Sequence, residues 1–319
     1  MRVVVVGAGS WGSAFACLLR DRGHDVMLAA RDAGLAAAIA ATGRNPRYVQ
    51  AADLRGIAAA TLAEAPLEDA ELIAVAVPSA VFGDVVGGLP GDAPVLSLTK
   101  GLDPETGERL TTRVSRGRPV AVLSGPNIAE EVVQGLPAAA VIASDDLELA
   151  EHLQRSVHST LFRVYVSDDP AGVELCAAAK NVIALAAGGA DGLRLGDNAK
   201  AALVSRGLAE MRRLAEAAGA RPDTFAGLAG MGDLIVTCWS LAGRNRRAGA
   251  LIARGATPEE AVAEIGMVVE GLTTAPVLQR LAHELGIELP ITDGVCAVLA
   301  GASLTDLVEQ LMRRRPTTE

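Results

Sequence analysis

Four consecutive valines, Val3 to Val6, run directly into Gly7-Ala8-Gly9-Ser10-Trp11-Gly12. A β-branched apolar run of this kind is a buried strand, and the glycines have the spacing G-x-G-x-x-G. The combination predicts a strand, a tight turn and a helix beginning near Ser10, whose apolar stretch Ala14 to Leu19 follows. Gly7 permits the turn, Gly9 lets a pyrophosphate approach the backbone, and Gly12 lets helix and strand pack closely. An anion then rests on free backbone N–H groups at the helix N-terminus. A glycine turn without a ligand is the plain alternative.

With 319 residues, half of them hydrophobic, the chain has material for a large core and for about two domains. No uninterrupted apolar run reaches the roughly 20 residues of a membrane span, so none is expected. The N-terminus reads as a strand with no basic leader, so no secretory signal is expected. Cys17, Cys176, Cys238 and Cys296 lie far apart in apolar stretches, as buried thiols of a reducing cytoplasm rather than disulfides or metal ligands. A net charge of −9 disfavours nucleic acid as a partner but leaves room for a local basic pocket and a phosphorylated small molecule. His24, His152, His158 and His283 have no metal spacing, so no metal is expected.

The chain changes character along its length. Val3–Val6, Val26–Ala30, Leu72–Val77, Val95–Leu98, Val120–Leu123, Ala139–Ala143 and Leu161–Val166 read as strands, with helical patterns between most of them. Such alternation predicts βαβ units and a doubly wound, mostly parallel Rossmann-type sheet. From Pro170 onward strand runs give way to helical patterns at 172–185, 199–217, 258–264, 273–285 and 304–313. Thr257-Pro258-Glu259-Glu260 is a capping box with proline at the first helical position. The expected division is a dinucleotide-binding domain over 1–170 and an all-helical domain over 171–319. The boundary falls near Ser167–Gly172 and passes straight into a helix.

The end of the second strand bears on the cofactor. An acidic residue about 20 positions past the glycines ordinarily holds the ribose 2′-hydroxyl of NAD. Here the strand ends at Arg31, which suits a 2′-phosphate and favours NADP(H) over NAD(H). Asp32 is the counter-argument, since a shift of one residue favours NAD, and Arg31 as an ordinary solvated arginine is the bland reading.

Further motifs follow in order: Ser97-Leu98-Thr99-Lys100-Gly101-Leu102, Ser124-Gly125-Pro126-Asn127-Ile128-Ala129, Ala179-Lys180-Asn181-Val182, Gly230-Met231-Gly232-Asp233-Leu234-Ile235-Val236-Thr237-Cys238, Gly243-Arg244-Asn245-Arg246-Arg247 and Val268-Val269-Glu270-Gly271. Lys180 stands out on its own chemistry. A lysine in an apolar helical stretch is paired, snorkelling or functional, and burial lowers its pKa toward the range of a general acid/base. Arginine at 244 offers a planar fork of donors suited to phosphate.

Taken together the motifs resemble the NAD(P)-dependent glycerol-3-phosphate dehydrogenases of the bacterial biosynthetic type, from Val3 to about Pro290. The resemblance implies interconversion of dihydroxyacetone phosphate and sn-glycerol 3-phosphate, a supply of glycerol 3-phosphate for phospholipids, a homodimer, and substrate between the two domains. It gives Lys180 the proton transfer at the C2 oxygen. Lys100 supports the same oxygen, and Asp233, in a glycine-flanked loop, orients and charge-balances Lys180. Thr237 shares substrate contacts or is structural. Arg244 and Asn245, with Gly243, form a phosphate clamp, and Gly125 and Asn127 contact substrate. The nucleotide falls to Gly7, Gly9, Ser10, Trp11, Gly12, Arg31, Lys100, Ala129, Arg244, Val268 and Glu270. Trp11 either covers the nucleotide or packs, and Val268 and Glu270 otherwise read as a loop leading into the helix at Thr273.

Asn127-Ile128 and Gly243 depart from the common bacterial pattern toward the eukaryotic one, so Asn127 presents an amide where many relatives carry a hydroxyl. Trp239 reads as core, Arg246 and Arg247 as solvated, and Arg313–Arg315 as a solvated tail. Two rivals stand beside this reading: a two-domain β-hydroxyacid dehydrogenase, and a non-catalytic NADP-binding regulator. The motifs at 230–238 and 243–247 argue against the first, and the joint presence of Lys100, Lys180 and Asp233 against the second. Arg31→Glu should raise the KM for NADPH far more than that for NADH; equal rises in initial-rate assays would remove Arg31 from the 2′-phosphate site.

Overall fold

The computed structural model describes residues 1–115 and 117–312, and the chain divides into two compact units. The first comprises Met1–Ala177 with Asp223–Asp233; the second comprises Ala178–Pro222 and the chain from Leu234 onward. Arg313–Arg315 lie outside the described residues.

Among its described residues the first unit is built on eight strands: β1 (Arg2–Val6), β2 (Asp25–Ala30), β3 (Ala58–Thr61), β4 (Leu72–Val75), β5 (Val95–Ser97), β6 (Val120–Ser124), β7 (Ala138–Ala143) and β8 (Phe162–Ser167). Five helices connect them: α1 (Ser10–Asp21), α2 (Ala33–Thr42), α3 (Ser79–Gly87), α4 (Ala129–Val133) and α5 (Leu147–Val157), with a 3-10 turn at Leu110–Arg113. The sheet order is β3-β2-β1-β4-β5-β6-β7-β8. β1 pairs in parallel with β2 and β4, so the strand order reverses there, which is where open α/β sheets bind ligands. The valine run has a physical reason. Val3 and Val5 pack on one face with Phe15, Leu19 and Leu28, and Val4 and Val6 on the other with Ile73, Val75 and Phe82. A strand buried on both faces loses the alternation of a half-exposed one.

The sheet is mostly parallel as expected, with two features the sequence did not display. β7 runs antiparallel to β6. The helix between them, α4, has five residues, about 7.5 Å of rise, too short to carry the chain back along a strand for a parallel crossover. β3 is absent from the sequence expectation because Ala-Ala-Ala-Thr lacks the β-branched and aromatic residues that mark strands. The outer edge of β8 is sealed. Gln154 Nε2 donates to the Val164 carbonyl at 2.8 Å, and the Val164 N–H donates to His158 Nδ1 at 3.2 Å.

Among the described residues nine more helices follow: α6 (Pro170–Gly192), α7 (Gly196–Ala217), α8 (Pro222–Ala226), α9 (Asp233–Trp239), α10 (Arg244–Ala253), α11 (Pro258–Ile265), α12 (Glu270–Glu284), α13 (Pro290–Leu299) and α14 (Leu304–Met312). A π-helical turn, Leu228–Gly232, precedes α9. Among the described residues the regular elements of the second unit are helices. α6 has the length and hydropathy of a membrane span, yet 89% of its most apolar window is buried in the protein, and it carries Glu174 and Lys180. α6 and α10 meet backbone to backbone: a Cβ on Gly188 would stand 1.9 Å from the Arg246 carbonyl oxygen, and one on Gly249 the same distance from that of Leu185. The capping box at α11 forms as the sequence predicts, with Thr257 Oγ1 accepting the Glu260 N–H and Glu260 accepting that of Thr257.

Three expectations are corrected here. Arg246 is not a solvated charge: with Lys200, which is 3% exposed, it pairs with Asp191, closing an ion triad across α6, α7 and α10. Burial raises the Asp191 pKa, but the two cations outweigh it and hold the carboxyl below its usual value. Trp239 is 43% exposed rather than core, its ring lying 5.1 Å from the Lys200 ammonium. Cys296 is half-buried, whereas Cys17, Cys176 and Cys238 are buried as expected.

Glu210 of α7 is 5% exposed and accepts the backbone N–H groups of Ile291 and Thr292 at the start of α13. Burial outweighs these bonds and nearby Arg213, and pushes its pKa up to about 7. Between the ordinary value and 7 the folded protein holds a proton that the unfolded chain has lost, so stability falls as pH rises through that window. Relative to Glu210→Gln, the protein should lose about 2 kcal/mol of unfolding free energy between pH 5 and pH 8. Denaturant unfolding at the two pH values checks this; a constant difference would contradict it.

Candidate active site

The β1–α1 turn separates the three glycines by task. Gly7 has φ +111°, and a Cβ there would lie 2.4 Å from the Ala76 carbonyl oxygen. One on Gly12 would lie 1.8 Å from the Gly7 oxygen, whereas one on Gly9 would meet nothing within 4 Å. Gly7 and Gly12 therefore allow the close packing of strand and helix, and Gly9 faces open space. Gly9 is also the N-cap of α1 and supplies no side chain to its N–H groups. Trp11, in the first turn, packs against Phe15 and Phe162 at ring distances of 5.9 and 6.2 Å, and its buried Nε1 has no hydrogen-bond partner. Open backbone donors at a helix N-terminus fit the phosphates of a dinucleotide.

Asn45 went unread in the sequence. It is fully buried, and its Nδ2 donates to the Ala8 carbonyl at 2.9 Å and to Ser13 Oγ at 3.0 Å. Its Oδ1 accepts the N–H groups of Arg47 and Tyr48, both at 3.0 Å. The Asn45-Pro46 dipeptide, a turn signal, was the available clue. Arg31 follows β2 and is exposed. Asp32 caps α2 by accepting the Leu35 N–H and pairs with Arg47 at 2.9 Å; the two interactions, in that order, hold its carboxyl below the usual range.

At the ends of β5 and β6 four sequence-read positions converge. The Lys100 ammonium donates to the Gly125 carbonyl at 3.1 Å, to Asn127 Oδ1 at 3.0 Å and to Asp233 Oδ2 at 2.8 Å. An ammonium has three donors, and all three are used here. Ser124 Oγ donates to the same Asp233 oxygen at 3.2 Å, a contact the sequence did not suggest. Asp233 is 2% exposed. Instead of sitting in a loop, it is the first residue of α9, directly after the π turn. Asn127 is 7% exposed, and its Nδ2 is buried without a partner. Ala129, also buried, begins α4. Glu174 was missed as well. It lies wholly inside the unit, accepts from Thr111 N–H and Oγ1 and from Arg109, and burial pushes its pKa up. The signal was the one used for Lys180, a charge in an apolar helix.

In the second unit Lys180 is 5% exposed, and its ammonium donates to Thr237 Oγ1 at 2.9 Å. Lys180 is therefore no snorkelling side chain. Gly243 is the N-cap of α10, and a Cβ on it would lie 3.0 Å from the Thr237 carbonyl oxygen. The expected clamp divides into two parts. Arg244 is exposed, with Nη1 donating to the Val268 carbonyl at 2.9 Å. Asn245 is 7% exposed, and its amide is committed to Asn181 Oδ1 and to the Gly271 N–H, both at 2.9 Å. Asn245 thus anchors the start of α10, because a buried amide must spend its hydrogen bonds on whatever surrounds it. Val268 is 44% exposed, and Glu270 begins α12 rather than a loop. Among the described residues no three His, Cys, Asp or Glu side chains gather as metal ligands.

Two family models match this chain. Residues 2–150 match the NAD-dependent glycerol-3-phosphate dehydrogenase N-terminus, and residues 169–309 match the C-terminus of the same family. The glycerol-3-phosphate dehydrogenase [NAD(P)+] of Stenotrophomonas maltophilia is 46% identical, over 94% of this chain and 91% of its own length. That of Moorella thermoacetica is also 46% identical, over 99% and 97%. The crystal structure of glycerol-3-phosphate dehydrogenase from Coxiella burnetii superposes with a TM-score of 0.94 at 36% identity, covering 98% of this chain and 99% of that one.

Removing one partner of a buried ion pair leaves an uncompensated charge. Asp233→Asn should lower unfolding free energy by about 3 kcal/mol, and Lys100→Met with Asp233→Asn together should cost less than the sum of the single changes. Denaturant titration of the four proteins checks the cycle; strict additivity would show that the pair is not coupled.

Proposed function

Because the chain belongs to the NAD-dependent glycerol-3-phosphate dehydrogenase family, we propose that it interconverts dihydroxyacetone phosphate and sn-glycerol 3-phosphate. The observation that carries the mechanism is the Lys180 ammonium, buried in an apolar helical stretch and hydrogen-bonded to the Thr237 hydroxyl. The bound nicotinamide supplies hydride to the carbonyl carbon. Lys180 donates a proton to the C2 oxygen as negative charge develops there, and takes it back in the oxidative direction. Thr237 holds the Lys180 ammonium in place for that transfer. Lys100, itself fixed by Gly125, Asn127 and Asp233, adds positive charge at the same oxygen, and its rigid mounting means that no reorganisation is needed as charge appears. The unpartnered Nδ2 of Asn127 is a donor for a substrate oxygen. Arg244 binds the phosphate, with Asn245 and Gly243 setting the start of the helix that carries it.

Nucleotide binding belongs to the residues up to about 170, and substrate binding and proton transfer to the helices beyond. NADPH is the favoured cofactor and NADH the second. Arg31 is exposed at the end of β2, and the Asp32 carboxylate, the feature that would favour NADH, is already engaged by α2 and Arg47. The protein acts in the cytoplasm as a homodimer and supplies glycerol 3-phosphate for phospholipid synthesis.

Addition of dihydroxyacetone phosphate to protein and NADPH should discharge the nicotinamide absorbance. Bound NADPH without turnover would favour a non-catalytic regulator, and turnover only with hydroxyacid–ketoacid pairs would favour the β-hydroxyacid dehydrogenases.

A further inference from the structure

We propose that Arg47 sets the nucleotide preference of the glycine-loop site by masking the carboxylate of Asp32, so that the end of β2 accepts a 2′-phosphorylated adenosine. This rests on the reading of that loop as the nucleotide site. Asp32 stands twenty residues beyond Gly12, where an acid ordinarily accepts the ribose 2′-hydroxyl and repels a 2′-phosphate. Here neither of its oxygens is idle. Oδ1 accepts the Leu35 N–H at 2.9 Å, and Oδ2 lies 2.9 Å from Arg47 Nη1.

Ion pairs between exposed side chains ordinarily contribute little, and these two are 56% and 41% exposed. The Arg47 pairing differs in how its backbone is held. The Arg47 N–H donates to Asn45 Oδ1, and the same fully buried amide donates from Nδ2 to Ala8 of the glycine loop and to Ser13 of α1. The segment that carries Arg47 is thereby tied to the loop that would hold the pyrophosphate. Charge then decides the preference. Arg31 and Asp32 alone sum to zero, whereas Arg31, Asp32 and Arg47 sum to +1, which favours a dianionic 2′-phosphate over a hydroxyl. Arg47 acts through Asp32 and is a positioning residue for the nucleotide.

The test is a double-mutant cycle read as dissociation constants for NADPH and NADH from nicotinamide fluorescence, without turnover. Asp32→Asn removes the charge and keeps an N-cap residue. Arg47→Leu should lower the NADPH preference at least tenfold in the parent protein and less than threefold in the Asp32→Asn background. Arg47→Gln, which retains a polar stem, should repeat the pattern and guards against a misfolded leucine variant. Equal losses in both backgrounds would mean that Arg47 does not work through Asp32, and no loss in the parent would mean that it does not set preference; either result overturns the proposal. Binding of neither nucleotide by the parent would remove the site itself, a failure distinguishable from both.

Discussion

Withdrawing a lysine ammonium from water costs several kcal/mol unless partners replace its hydration. This chain does so at two motifs, and much of its architecture supplies the replacement. Lys100 spends its three donors on a backbone carbonyl, an amide oxygen and a carboxylate drawn from the end of β6, the segment before α4 and the first residue of α9. Those partners are far apart in sequence and meet only because the sheet brings the ends of β5 and β6 side by side. Lys180, in a mostly apolar stretch of α6, donates to the Thr237 hydroxyl. A fully engaged ammonium such as that of Lys100 is a fixed charge.

The glycine loop shows the same economy. A single buried amide, Asn45, joins the loop to the segment that carries Arg47, and Arg47 in turn engages the acid at the end of β2. Three side chains thus connect the seat of the pyrophosphate to the seat of the ribose. Likewise the ion triad of Asp191, Lys200 and Arg246 ties α6, α7 and α10 together where glycines let α6 and α10 touch.

Legibility in the sequence followed the range of the signal. β1, its turn and α1 were readable because their determinants are adjacent: a valine run, three spaced glycines and an apolar helical stretch. Lys180 was readable because burial on a helix is a local pattern. β3 was not, since alanines carry no strand signature, and the reversal of β7 depends on a helix too short to be noticed as such. Arg246 was misread because its partner Asp191 lies 55 residues away, and a charge run looks solvated until its counter-charge is seen. The Lys100–Asp233 pair spans 133 residues, and Asp32–Arg47 spans α2 and the irregular segment after it; neither separation has a periodicity that a sequence can display. Asn245 also bonds Asn181 and the Gly271 N–H, partners 64 and 26 residues away that no local pattern displays.

The central claim is that the Lys180 ammonium supplies the proton for carbonyl reduction. Its most direct test is Lys180→Met, which fills the same volume without a donor. Turnover of dihydroxyacetone phosphate at saturating NADPH should fall by about 10²- to 10⁴-fold, the range for loss of a general acid, while the NADPH dissociation constant stays within threefold of the parent. Turnover within tenfold of the parent, with NADPH still bound, would contradict the account.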